Sequence, residues 1–163
     1  MRNFIFPLFI LILLMFSACK KPDETLSGVY LDLSIDLSYV DQNGNDLLRP
    51  STPNAYDVNL FRLKYYSNGK LKTYFKSNYD AQYGVTGTFH TDSSPYLVVG
   101  IFPPADTTYL KLSNGDVDTI WTITDIENNR AYESITKVWY NGKLVWDESN
   151  KTERHIVVKK RIN

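Results

Sequence analysis

Val29, Leu31, Leu33, Ile35 and Leu37 alternate with Tyr30, Asp32, Ser34, Asp36 and Ser38. Successive side chains of a strand point to opposite faces, so a run of period two predicts one buried and one wet face, as in an antiparallel sheet. Asp41-Gln-Asn-Gly-Asn-Asp46 closes this run as a turn, and Pro50 and Pro53 punctuate a loop after it. Short apolar runs and turn residues then keep alternating. Tyr56 to Lys76 reads as a hairpin around Asn68-Gly69, which places Tyr66 opposite Leu71 and Leu63 opposite Tyr74. Val85–Thr91 and Tyr96–Phe102 are further strands, the second apolar enough for a central position before Pro103-Pro104. Thr107–Leu112 and Val117–Ile126 follow. A second hairpin, Ile135–Tyr140 with Lys143–Asp147, turns on Asn141-Gly142, and His155–Lys160 makes a last strand.

No segment carries the 3.6-residue period of an amphipathic helix. The expectation is an all-β, Ig-like antiparallel β-sandwich of about nine strands, with the proline-bearing loops crossing between sheets. The alternative is a lipocalin-like up-and-down barrel, toward which Leu26-Ser-Gly-Val-Tyr30 points.

The first 18 residues are of another kind. Met-Arg-Asn is followed by an apolar run from Phe4 to Phe16 and then by Ser17-Ala18 before Cys19. A charged start, a short apolar stretch and small residues before a cleavage point predict a signal peptide. The run is shorter than the ~20 apolar residues that span a bilayer. Phe16-Ser17-Ala18-Cys19 resembles a bacterial lipobox, with Phe16 where Leu is usual, and Cys19 is the sole cysteine of the chain. Cys19 is therefore the predicted lipidation site. Diacylglycerol plus an amide-linked chain supplies the two anchors that stable attachment requires. Residues 1–18 read as signal, 19–27 as lipidated tether and 28–163 as a single all-β domain.

Composition then excludes several classes. One cysteine makes neither an internal disulfide nor a thiolate zinc site. Without the signal, the chain holds 17 basic and 18 acidic residues, no footing for a nucleic-acid partner. Asp41, Asn43 and Asn45 open like a calcium loop, but Asp46 and Thr52 stand where glycine and a bidentate carboxylate belong, so a turn is expected. There is no G-x-S-x-G elbow, and His90 and His155 read as surface or structural. Asp32 and Asp36 lie roughly 13 Å apart along one strand, too far for a carboxylate pair. No cofactor, no metal and no catalytic residue is expected, and the chain does not read as an enzyme.

Asp41-Gln-Asn-Gly-Asn-Asp-Leu-Leu48, Tyr109-Leu-Lys-Leu112, Asp118-Thr-Ile120 and Lys137-Val-Trp-Tyr-Asn-Gly-Lys-Leu144 resemble segments of a family of small all-β lipoproteins of Bacteroidetes without an assigned activity. Lys20-Lys-Pro-Asp-Glu24 is similar to the charged export signal of surface lipoproteins in those bacteria. The resemblance implies an outer-membrane location, lipid-anchored and facing the cell surface, and an all-β fold. It transfers no catalytic residues.

Two segments are candidates for binding. Arg62, Lys64, Lys70, Lys72 and Lys76 interleave with Tyr65, Tyr66, Tyr74 and Phe75 and no acid. Such a mixture suits an acidic glycan; the simpler reading is a lysine-guarded sheet edge. In the second hairpin, a two-residue turn pairs Trp139 with Leu144, Val138 with Val145 and Lys137 with Trp146. Trp139 and Trp146 then become diagonal neighbours on one face beside Tyr140. Facing out, they form a platform for sugar rings; facing in, they are core. The expected function is a lipid-anchored binding or accessory module for glycan or a partner protein. A structural subunit of an envelope complex and a small-ligand carrier with a barrel cavity are the alternatives.

Overall fold

The computed structural model describes residues 30–88, 95–101, 107–127 and 132–162. Cys19, the signal segment, His90 and Pro103-Pro104 lie outside them. The described chain is all-β, built as two packed sheets that do not close into a barrel. The strands are β1 (Tyr30–Asp32), β2 (Ser34–Val40), β3 (Arg62–Ser67), β4 (Lys70–Thr73), β5 (Val85–Thr88), β6 (Tyr96–Gly100), β7 (Thr107–Lys111), β8 (Val117–Glu127), β9 (Tyr132–Tyr140), β10 (Lys143–Asp147) and β11 (His155–Lys159). One sheet has the order β1-β9-β8-β7-β3-β4, with β10 also on β9; the other is β11-β2-β6-β5.

Both sheets are mixed. The expected all-β sandwich forms, but its pairing is not antiparallel throughout, because β1 runs parallel to β9 and β11 runs parallel to β2. The described part of the long alternating run, residues 30–38, is also two strands, β1 in the larger sheet and β2 in the smaller. The chain changes sheet at Leu33, which packs against the core from its position between them. Burial follows the alternation only from Leu33 onward: Leu33, Ile35 and Leu37 meet the core, whereas Leu31, on the edge strand β1, is 58 % exposed, against the sequence expectation.

That core is filled from both sheets by Ile35, Leu37 and Leu97 on one side and Leu63, Leu110, Ile120 and Ile135 on the other, all at most 1 % exposed. The loop between β2 and β3 closes one end. It buries Leu47, Leu48, Tyr56 and Phe61, and the rings of Tyr39, Tyr56 and Phe61 meet edge to face at 5.6–6.1 Å. Asp41 builds its opening turn: one carboxylate oxygen accepts from the backbone N–H of Asn43 and Asn45, both at 2.8 Å, and the other from the Asn45 amide. These donors hold the Asp41 carboxyl below its usual range.

Both Asn-Gly hairpins form as expected. Asn68 and Gly69, like Asn141 and Gly142, have positive φ at both turn positions, the type I′ geometry whose twist suits adjoining strands. Tyr66 stands opposite Leu71, and the Tyr74 N–H donates to the Leu63 carbonyl. β6 is central in its sheet, between β2 and β5.

Two polar clusters join the sheets. At one end, Lys160 Nζ donates to Asp118 Oδ1 at 2.6 Å, beside Tyr140 and Tyr39. At the other, Arg154 grips Asp32.

Candidate functional site

The three residues of the second hairpin do not gather on one face. β10 carries a bulge between Leu144 and Trp146, so Leu144 pairs with Trp139 but Trp146 pairs with Val138. One extra residue turns every later side chain to the opposite face. Trp146 is therefore core, 8 % exposed, with its Nε1 donating to the Thr152 carbonyl and the Arg154 guanidinium 4.6 Å from the ring centre. Tyr140 is buried as well, its hydroxyl shared between Tyr39 and Asp118. Trp139 alone remains on the outer face.

Its partner there is Trp121 of β8, directly opposite in register and 4.1 Å away between ring centroids. The sequence reading missed Trp121, since only the β8–β9 pairing brings the two rings together. The row extends in both directions across the strands. Leu144 stands beyond Trp139, and Thr107 beyond Trp121. One step past the Tyr65–Thr108 pair lies Tyr66, level with Thr107, and Leu71 follows on β4. Tyr109, one tier away on β7, meets Tyr66 edge to face at 5.6 Å. At ~4.8 Å per strand the six positions span about 24 Å.

These side chains are exposed because they stand on the solvent face of the larger sheet. Trp121 is 39 % exposed, Tyr66 55 %, Leu71 47 % and Leu144 45 %. Ile123 and Val117 of β8 add to the same face. Single exposed apolar residues are ordinary; here several share one row, interrupted by Thr107, which makes this face the candidate site. Flat rings with polar edges suit a ligand that offers apolar faces and hydroxyl rims.

The basic segment forms the β3–β4 edge of the same sheet. β4 is exposed throughout and carries Lys70 and Lys72, which discourage pairing with another sheet edge. Arg62 donates to the carbonyls of Asn59 and Phe61 and lies over the Tyr83 ring at 3.8 Å. Lys64 stands on the outer face opposite Tyr109, next to the aromatic row.

On the smaller sheet, His155 Nε2 and Ser38 Oγ are 2.7 Å apart, with Asp36 in register opposite His155. Burial pushes the Asp36 carboxyl up despite the nearby imidazole. Ser38 is only 7 % exposed, and no hydrogen bond joins Asp36 to His155. The pair fastens β2 to β11, and the buried hydroxyl offers an incoming substrate little access. Among the described residues no group of three or more His, Cys, Asp or Glu side chains is placed to hold a metal ion.

No protein-family model, no curated protein and no solved structure matches the chain.

Proposed function

We propose that this chain is a lipid-anchored binding module of the bacterial cell envelope, held by Cys19 and receiving glycan on the aromatic row of its larger sheet. The observation that carries the reading is the Trp121–Trp139 pair, set in register with Tyr66, Leu71 and Leu144 on an open face. The rings lie along the sheet rather than in a cleft, which suits an extended chain of sugars. The carrier alternative called for a closed barrel, and the two sheets form a filled sandwich.

Location and binding are tested separately. Cys19→Ala, expressed in a bacterium that processes lipoproteins, moves the protein from the membrane fraction to the soluble fraction. Retention of a correctly cleaved Cys19→Ala chain in the membrane rules the anchor out. For binding, the full chain in mild detergent is screened against a glycan array. A stacking ring worth about 1–1.5 kcal/mol corresponds to about a tenfold change in affinity. Trp121→Ala and Trp139→Ala each weaken retention by that amount. Val157→Ala, on the exposed face of the other sheet, leaves it unchanged. Glycan signals indifferent to both tryptophans defeat the proposal.

A further inference from the structure

We infer that the ligand of the aromatic row is an acidic polysaccharide, lying across the strands with its anionic groups turned toward Lys64 and Lys111. This rests on the reading of the row as a glycan surface and adds its chemical class.

The two flanks of the row differ in charge. On one side, the next tier of the outer face holds Lys64 opposite Tyr109, and the tier beyond holds Lys111 opposite Arg62. The spacing of tiers on one face is about 7 Å along a strand. A carboxylate or sulfate projecting sideways from a sugar on the row thus comes within reach of the Lys64 ammonium.

Among the described residues Lys64 and Lys111 enter no salt bridge; the three that form involve Lys137, Arg154 and Lys160. Arg62 is occupied by two carbonyls and the Tyr83 ring. Lys70 and Lys72 of β4 point to the face opposite Leu71, so Lys64 and Lys111 are the cations that flank the row.

The opposite flank is of another character. The tier there is Ile123, Lys137 and Asp147, and its lysine and aspartate pair with each other at 2.7 Å. Farther along β8 come the acids Asp125 and Glu127. Anions are favoured on one side and repelled on the other, so the face selects both a charged chain and its orientation. Rings supply stacking under the sugars, and lysines supply charge at their edges.

The test uses the full chain in detergent and gel retardation against three probes: a polyuronate, a sulfated polysaccharide and a neutral glucan. The polyuronate and sulfated arms separate carboxylate from sulfate as the anionic group. Retention by at least one acidic probe and weak retention by the glucan is the expected result. Lys64→Gln combined with Lys111→Gln lowers affinity for the acidic probe by about tenfold and flattens its dependence on salt. Lys64→Arg retains binding. Trp121→Ala weakens the same interaction.

Equal retention of the neutral glucan, lost with Trp121 but not with the lysines, overturns the acidic assignment while leaving the glycan surface standing. Acidic retention indifferent to Trp121 is charge attraction alone and overturns both. So does Trp121-dependent sedimentation with vesicles containing anionic phospholipid when no polysaccharide is retained, since the face then meets a membrane.

Discussion

Asp118→Ala lowers the unfolding free energy by about 3–5 kcal/mol, the range for breaking one side of a buried ion pair. The Asp118 side chain is 4 % accessible and that of Lys160 15 %. One carboxylate oxygen accepts from Lys160 Nζ and from the Asn141 amide, and the other accepts from the Tyr140 hydroxyl. Burial pushes the hydroxyls of Tyr140 and Tyr39 well above the ordinary tyrosine range, so both stay protonated. Tyr140 therefore donates to Asp118, and Tyr39 donates to Tyr140 at 2.7 Å. Without the carboxylate, an ammonium and a chain of hydroxyls lose their acceptor inside the sandwich.

Urea denaturation followed by tryptophan fluorescence reads the effect. At ~1.5 kcal/mol per molar urea the midpoint falls by about 2 M or more. Lys160→Met, which strands the opposite charge, falls by a similar amount. The double variant Asp118→Asn with Lys160→Met recovers part of the loss, because neither charge is then left alone. A midpoint within about 0.5 M of wild type for Asp118→Ala removes this cluster from the account of stability.

Arg154→Ala is the second large expected effect, about 1.5–3 kcal/mol, the scale of losing hydrogen bonds to a charged group, since the Asp32 carboxylate it leaves is 36 % accessible. Its two terminal nitrogens fork onto the Asp32 carboxylate at 2.8 and 2.9 Å and also donate to the carbonyls of Ser34 and Ile135. The guanidinium covers the Trp146 ring. Asp32 ends β1 and Ser34 begins β2, so one side chain spans the point at which the chain changes sheet. Arg154→Lys restores little, because an ammonium cannot fork onto a carboxylate and reach two carbonyls in plane. The loss is local as well as global. Limited proteolysis of Arg154→Ala gains a cut near Leu33 that wild type resists, and an unchanged cleavage pattern with an unchanged urea midpoint refutes the role.

The strand content, the two Asn-Gly turns and the central place of β6 were legible because each depends on neighbours in sequence. The Leu33 crossing was not. Alternation reads the same whether Leu31 and Ile35 lie in one sheet or two, so it put both inside, yet Leu31 on the edge strand β1 is exposed and Ile35 is core. The bulge after Leu144 was equally silent, yet it decides that Trp146 is core and Trp139 is surface. Trp121 entered the site only through the pairing of β8 with β9. Arg154 and Asp32 lie 122 positions apart, and nothing local to either marks the other.

The short first strand also bears on mechanics. Any tension reaching the described residues from their N-terminal side enters at Tyr30, which stacks on Tyr132 at 4.9 Å, and passes into the three residues of β1. It is then met at Asp32 by Arg154, whose fork ties that residue to the start of β11 and to β9. A pull that peels β1 away stops at this clasp before it reaches the central pairs of either sheet. The aromatic row, carried on β4, β3, β7, β8, β9 and β10, keeps its register while β1 is under load.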